Sequence, residues 1–287
     1  MPDSGAILVT GATGNLGPHA LTHLLATGRR VRALVLPDDP RADRVPAGVE
    51  VVHGDLARPE TVEPALVDVD GVLLMWPFFT LRVDTVPAVL DLISERARRI
   101  AFVSSIGVHI GLEARDNNCH SYLESMIEKT DLEWTFLQTT GFASNARGLA
   151  EQIRGDGVVR FPYGAAARSS VHEGDVAEVA ARALTTPGHA GARYVTTGPE
   201  TLTQAQQVAI IGEVIGRELR WEDVPASVAR EQMIAQGWPP SYADGALDYF
   251  AQLVQESELV TTAVHDVLGR PPRTFREWAV ENADAFR

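Results

Sequence analysis

Three glycines spaced three apart, Gly11, Gly14 and Gly17, carry the most specific chemistry in this chain. They punctuate Val9-Thr10-Gly11-Ala12-Thr13-Gly14-Asn15-Leu16-Gly17, between the apolar run Ala6-Ile7-Leu8-Val9 and the helical stripe of Leu21, Leu24 and Leu25. A glycine-rich turn from a buried strand into a helix suits a diphosphate, because backbone approaches the anion closely and the helix N-terminus offers unpaired N–H groups and positive dipole. Gly11 is assigned the sharp turn, Gly14 the close approach and Gly17 tight packing of helix on strand, with Thr13, Asn15 and Leu16 completing the cradle. The spacing departs from the G-x-G-x-x-G of the general dinucleotide fingerprint, and a ligand-free structural turn is the alternative. A second set, Ser105, His109, His120 and Tyr122, has side chains able to move a proton, though none has a visible neighbour to tune it.

These residues need a scaffold that gathers strand ends along one edge. Segments 31–35, 49–53, 71–75 and 99–103 read as further strands separated by helical stretches. The fold class expected is therefore α/β, a doubly wound parallel sheet of Rossmann type with a small, mainly helical C-terminal substrate region. Residues 1–155 form the dinucleotide-binding domain. Residues 156–287 form a mixed substrate-binding region interleaved with it, whose last third is helical over 227–236, 241–257 and 274–284. The position just past the second strand meets the adenosine ribose, where a carboxylate takes the 2′-hydroxyl and an arginine the 2′-phosphate. Leu36 does neither; Asp38 or Arg41 are the substitutes in the next loop, and Arg30 and Arg32 read as solvated. The unbroken apolar run Gly71-Val72-Leu73-Leu74-Met75 is a central strand, so Met75, Trp76 and Phe78 fall in the ligand crevice at its carboxyl end, with core packing as the alternative. Asp175 reads as the N-cap of a helix over 176–184, and His172 as a satisfied histidine. Trp238, Tyr242, Tyr249, Phe250 and Trp278 are mostly packing.

The glycine loop, with its flanking Val9-Thr10 and Asn15-Leu16, closely resembles the opening of NmrA-like proteins, atypical members of the short-chain dehydrogenase/reductase superfamily. The resemblance spans nearly the whole chain and is strongest in its first half. It implies that Gly54-Asp55-Leu56 is the adenine-binding turn, Asp55 accepting from the adenine amino group and Leu56 packing on the ring; the competing reading makes Asp55 a helix N-cap. It implies that the strand end at Met75 and Trp76 runs beside the ribose and nicotinamide. Ser104-Ser105 stands where typical short-chain dehydrogenases carry a serine that orients the substrate carbonyl, ahead of a Tyr-x-x-x-Lys pair. Here Tyr122 is followed by Met126, with Lys129 seven places on, and a phenol without a cation beside it is a poor acid-base group at neutral pH. The stretch from His120 resembles the family's histidine-plus-glutamate signature, with His120 and Glu124 four apart and able to pair on one helix face. The family's Arg-Pro is replaced by Gln138-Thr139, which removes a fixed cation. Gly141, Phe142 and Asn145 resemble its Phe-x-x-Asn stretch, which faces the pocket.

Bulk properties narrow the classes. A length of 287 residues and 45 % apolar content support one α/β domain with an appendage. A formal net charge of −13 argues against sequence-independent nucleic-acid binding and against anionic membranes. The one cysteine, Cys119, rules out an internal disulfide or a cysteine metal cluster. No metal site is expected. A cytoplasmic location and a monomer or homodimer are expected. The leading function is an NAD(P)H-dependent oxidoreductase that reduces a small conjugated or quinone-like molecule by direct hydride transfer, with NADP as cofactor and NAD possible. A hydride acceptor that is already electrophilic needs little from the protein beyond orientation and a dry pocket. The alternatives are a non-enzymatic NmrA-like redox sensor with a protein partner, and a non-redox isomerase, cyclase or dehydratase using His120 or His109.

Overall fold

The computed structural model describes residues 5–77, 83–111 and 119–287. In chain order the main elements are β1 (Ala6–Val9), α1 (Gly17–Ala26), β2 (Val31–Val35), β3 (Glu50–His53), β4 (Val69–Leu74), α2 (Val86–Arg96), β5 (Arg99–Ser105), α3 (Ile106–His109), α4 (Cys119–Ile127), β6 (Glu133–Thr139), α5 (Ala150–Arg154), β7 (Val158–Arg160), β8 (Ala167–Arg168), α6 (Glu173–Thr185), β9 (Ala192–Thr196), β10 (Leu202–Thr203), α7 (Gln204–Ile215) and β11 (Arg220–Glu222). The chain ends in four helices, α8 (Ala226–Ala235), α9 (Pro240–Gln255), α10 (Ala263–Leu268) and α11 (Phe275–Glu281).

Seven strands form one parallel sheet in the order β3-β2-β1-β4-β5-β6-β9. The sheet is buried on both faces, and alternate residues of one strand serve different cores. Ala6 and Leu8 of β1 join the cluster under α2 and α4, whereas Ile7 and Val9 join the cluster under α1 and α6. The strand order reverses between β1 and β4, since the chain runs outward through β2 and β3 before returning to β4. Diverging loops at such a reversal open a crevice at the carboxyl edge of the sheet. This is the Rossmann-like α/β fold expected from the alternation.

Residues beyond 155 return to the main sheet. β9 pairs with β6 as the seventh strand, and α6 buries Val176, Val179, Ala180 and Leu184 in the core shared with α1. The remaining elements make two smaller cores. One packs Trp278, Phe275 and Phe286 against α7; the other joins α8 and α9 around Met233 and Leu247. Two short ladders, β8 with β10 and β7 with β11, stand apart from the main sheet.

α7 begins at a capping box formed by Thr203 and Gln206 and ends at Gly216, whose left-handed φ of 71° needs no Cβ. α6 departs from expectation. It starts at Glu173, and the cap is His172, whose Nδ1 accepts from the Gly174 N–H at 2.9 Å. Asp175 lies inside the first turn, fully buried, and its carboxylate takes the guanidinium groups of Arg270 and Arg273 and the Arg273 N–H. Capping needs only a short acceptor, and histidine supplied it here. That left Asp175 to moor the C-terminal segment.

Candidate functional site

The glycine loop is built from backbone. Gly11 has φ of +58°, and a Cβ there would stand 3.2 Å from Met75 Cβ and Cε. A Cβ on Gly17 would stand 2.2 Å from the Ala12 carbonyl oxygen, so this glycine lets α1 start against the loop itself rather than against the strand. α1 opens without a protein acceptor: no side chain caps Leu16, and its first turn holds no acidic residue. The helix N-terminus is therefore uncapped by any described side chain, an arrangement that suits an anion. Thr10 fixes the mouth of the crevice. Its Oγ1 accepts from Met75 N–H at 2.8 Å and lies 3.0 Å from the Met75 carbonyl oxygen, to which it donates, tying the ends of β1 and β4 together at the reversal. Sequence reasoning passed over Thr10, although a buried hydroxyl at the end of an apolar strand needs such partners.

At the ribose edge Leu36 is half exposed and offers only apolar surface. The polar groups beside it are Asp39 and Arg41. Thr13 of the glycine loop donates to Asp39 Oδ2 at 2.5 Å, and Arg41 grips both oxygens of the same carboxylate at 2.9 and 3.0 Å. The Arg41 and Thr13 hydrogen bonds hold the Asp39 carboxyl well below the usual carboxylate range. Arg32 is not solvated: it is buried, paired with Glu50 at 2.8 Å and donating to the carbonyls of Ala65 and Val67. Asp55 caps no helix. Only a short 3-10 turn follows, and its Oδ1 accepts from Ala57 N–H at 2.9 Å in a local turn. Leu56 is buried in the core on the α2 side of the sheet.

At the far side of the crevice, Met75 is partly buried on the α1 side, and Trp76 is buried on the other with its indole Nε1 lacking a partner among the described residues. Phe78 lies outside the described residues. Ser104 donates to Glu124 Oε1 at 2.5 Å, and Gln138 Nε2 donates to both Glu124 oxygens at 3.1 and 3.2 Å. Glu124 thus pairs with Ser104 and Gln138 rather than with His120. The cation that Gln138 lacks comes from another strand. Arg193 of β9 approaches Glu124 at 3.7 Å, pairs with Glu128 and stacks its guanidinium over Trp134 and Phe136. Nothing local in the sequence connects positions 138 and 193.

Ser105 caps α3, its Oγ accepting from Gly107 N–H at 3.1 Å. His120 sits against Phe102 with ring centroids 6.2 Å apart, and burial pushes its pKa down to about 4. Tyr122 packs its ring on the core under α2 and α4, and His109 is exposed at the last turn of α3. Cys119 is buried, its Sγ 3.9 Å from the Tyr242 hydroxyl of α9, and burial raises the thiol pKa to about 11. Past β6, Gly141 and Phe142 are half-buried at the carboxyl edge, and Asn145 is exposed on the following turn. Arg147 of that turn donates to Asn15 in the glycine loop at 3.2 Å and to Asn282 at 2.6 Å, bridging the cradle to the C-terminal helices. No cluster of three or more metal-ligating side chains occurs among the described residues, and no helix among them is long and apolar enough to cross a membrane.

Known proteins are similar to this chain over nearly its whole length. The (4-alkanoyl-5-oxo-2,5-dihydrofuran-3-yl)methyl phosphate reductase of Streptomyces griseus is 34 % identical, covering 98 % of this chain and 99 % of its own. The NAD(P)H azoreductase of Xenophilus azovorans is 32 % identical over 98 % of this chain and 99 % of its own. An Escherichia coli NADPH-dependent quinone oxidoreductase, solved with NADPH, superposes with a TM-score of 0.80 at 22 % identity, covering 96 % of this chain and 99 % of that one. The NmrA-like family pattern itself matches residues 3–279. On fold, glycine loop and full-length relatedness together, this chain belongs to the NmrA-like family.

Proposed function

We propose that this protein is an NAD(P)H-dependent reductase of a small conjugated or quinone-like molecule. The observation that carries the reading is the uncapped, acid-free N-terminus of α1 behind the Gly11–Gly17 loop, opening on the β1/β4 crevice. Two full-length relatives above 30 % identity are reductases, one of a butenolide phosphate and one of azo compounds, and both substrates are electrophilic π-systems.

The cofactor is NADP or NAD; bound, it supplies the hydride. The chain's residues bind, orient and exclude water. Gly11, Thr13, Gly14, Asn15, Leu16 and Gly17 hold the diphosphate. Arg41 faces the 2′ position in place of a residue that Leu36 cannot be, with Asp39 as its tether. Asp55 and Leu56 flank the adenine, and Met75, Trp76 and Ser104 lie along the ribose and nicotinamide. Residues 156–287 contribute the substrate side, with His109, Gly141, Phe142 and Asn145 of the preceding segment.

The proton that completes the reduction comes from solvent. Ser104 is committed to Glu124, Ser105 to a helix cap, and His120 is neutral at physiological pH. Tyr122 has no lysine four residues on. A substrate whose hydride adduct is a stabilised enolate, hydroquinone anion or hydrazide needs no dedicated acid.

The test is anaerobic turnover of a panel of naphthoquinones, butenolides and azo compounds with NADPH and with NADH, followed at the nicotinamide absorbance. Turnover of at least one class is expected. Tight nucleotide binding with no turnover across the panel refutes the enzyme reading and moves the redox-sensor alternative forward.

A further inference from the structure

We propose that Arg168 is an anion anchor in the substrate pocket, so that the molecule reduced here carries an ionised phosphate or carboxylate substituent beside its electrophilic π-system. The proposal rests on the reductase reading and specifies its substrate class.

Arg168 belongs to β8, and the chain just beyond it is laid along the carboxyl edge of the main sheet. Val171 N–H donates to the Gly141 carbonyl at 3.0 Å, and Ala143 N–H donates to the Val171 carbonyl at 2.8 Å. This brings the guanidinium onto Gly141, two residues past the end of β6. A Cβ built on Gly141 would stand 2.1 Å from Arg168 Nη2 and 2.9 Å from Cζ, so the missing side chain at 141 is the seat of the cation. Phe250 of α9 lies against it, with Cζ 5.0 Å from the ring centroid.

The guanidinium is half-buried, and its Nε is shut off from solvent with no hydrogen-bond partner among the described residues. It forms no ion pair and no side-chain hydrogen bond with a described residue. That is unexpected in a chain with 38 acidic and 25 basic residues, where most partly buried cations find a carboxylate. The buried carboxylate beside this strand, Glu258, is already engaged. It accepts from Ser169 N–H at 2.8 Å, Ser169 Oγ at 3.1 Å and Tyr249 Oη at 2.7 Å. A half-buried guanidinium held between a ring and a glycine, with no described carboxylate taking its donors, is a preformed fork for an oxyanion. It stands on the same edge of the sheet as the β1/β4 crevice, two strands along, which suits a substituent remote from the reacting carbon. Binding energy from such a group orients the π-system without taking part in the chemistry.

Three matched pairs test this: a (hydroxymethyl)butenolide and its phosphate ester, 2-methyl-1,4-naphthoquinone and 1,4-naphthoquinone-2-carboxylate, and the saturated lactone with its phosphate ester. The first two pairs are assayed for turnover, and the saturated pair is titrated calorimetrically, which reads binding whether or not turnover occurs. Wild type should favour the anionic member of at least one pair by tenfold or more, chiefly in KM or Kd. Arg168→Met should erase that preference while changing the neutral member less than twofold, and Arg168→Lys should retain part of it. Gly141→Ala, which only pushes aside the flexible end of Arg168, should weaken the anionic member in the same direction and keeps the test valid if Arg168→Met does not fold. The phosphate and carboxylate arms separate the two sources of anion. Turnover of neutral substrates with no anionic preference overturns the anchor and leaves the reductase standing. Anionic binding without turnover supports the anchor and counts against the reductase. No selective binding of either anion to wild type, or equal losses on charged and neutral members in Arg168→Met, overturns the proposal.

Discussion

The two sides of the crevice are made differently. The glycine loop is consecutive backbone, and its geometry depends on what side chains would do if they were present: a Cβ on Gly17 collides with the Ala12 carbonyl, and one on Gly11 crowds Met75. The opposite wall is a knot of side chains from four elements, Ser104 of β5, Glu124 of α4, Gln138 of β6 and Arg193 of β9. The first has no room for a Cβ at Gly17 and offers backbone N–H groups. The second tolerates no lost partner and holds its own carboxylate. On the proposed reading the nucleotide is held by nine consecutive residues, whereas the opposite knot depends on charges and hydrogen bonds that meet only across distant segments. Gln138 and Arg193 are one case: the cation implied for position 138 stands on the neighbouring strand.

Substitutions can break that contrast, the largest effect first. Glu124→Ala strands the Ser104 hydroxyl, the Gln138 amide and a nearby guanidinium, and should lower the unfolding free energy by about 3 kcal/mol in urea titrations. Glu124→Gln keeps an acceptor and should cost about 1 kcal/mol. Nucleotide affinity should change little in either. Gly17→Ala should cost about 2–3 kcal/mol by overpacking against backbone that cannot yield, and should also abolish the rise in Tm on adding NADPH. Gly14→Ala meets only the Gly11 carbonyl, at 3.2 Å, and should leave the fold intact while weakening the nucleotide. If both glycine variants bind NADPH as wild type does, the loop is not a diphosphate site.

Thr10→Val keeps the shape of the side chain but removes the tie between β1 and β4, for about 1–2 kcal/mol of stability, with a matching loss of nucleotide affinity because the crevice mouth loosens. Arg41→Ala should raise the Kd for NADPH about tenfold, or about 1.4 kcal/mol, and leave NADH unchanged. Equal effects on the two nucleotides would remove Arg41 from the 2′ position.

The effect that vanishes at neutral pH is that of His120, which shows only on acidification. His120 is held neutral by burial, with its pKa near 4 in the folded chain against about 6.5 when unfolded. Between those values the unfolded state binds the extra proton, so stability is full above pH about 6.5 and declines as pH falls toward 4. His120→Gln should flatten that part of the pH–stability curve. An unchanged slope would show that His120 is not the buried base.

Much of this was legible before any coordinates. Alternating strands and helices, an apolar run at Gly71–Met75 and glycines after β1 specify a parallel doubly wound sheet, because each is a local rule about backbone or burial. Local rules misplaced Asp175 and Asp55. Both are short carboxylates ahead of helix-like sequence, but the first was drawn off by Arg270 and Arg273 some 95 residues away, and the second precedes only a 3-10 turn. Arg32 read as solvated because charge suggests water, yet Glu50 and two carbonyls pair it inside.

The amino-acid order by itself determined the glycine cradle and the sheet, since a positive φ, an absent Cβ and a strand's period are properties of neighbouring residues. Only the folded chain decided which charges meet. Glu124 with Ser104 and Gln138, Arg193 over its two rings, and Arg168 on Gly141 with no carboxylate partner among the described residues are all arrangements between distant segments. Their energies depend on burial and on what else is within reach, and neither quantity exists until the sheet has closed.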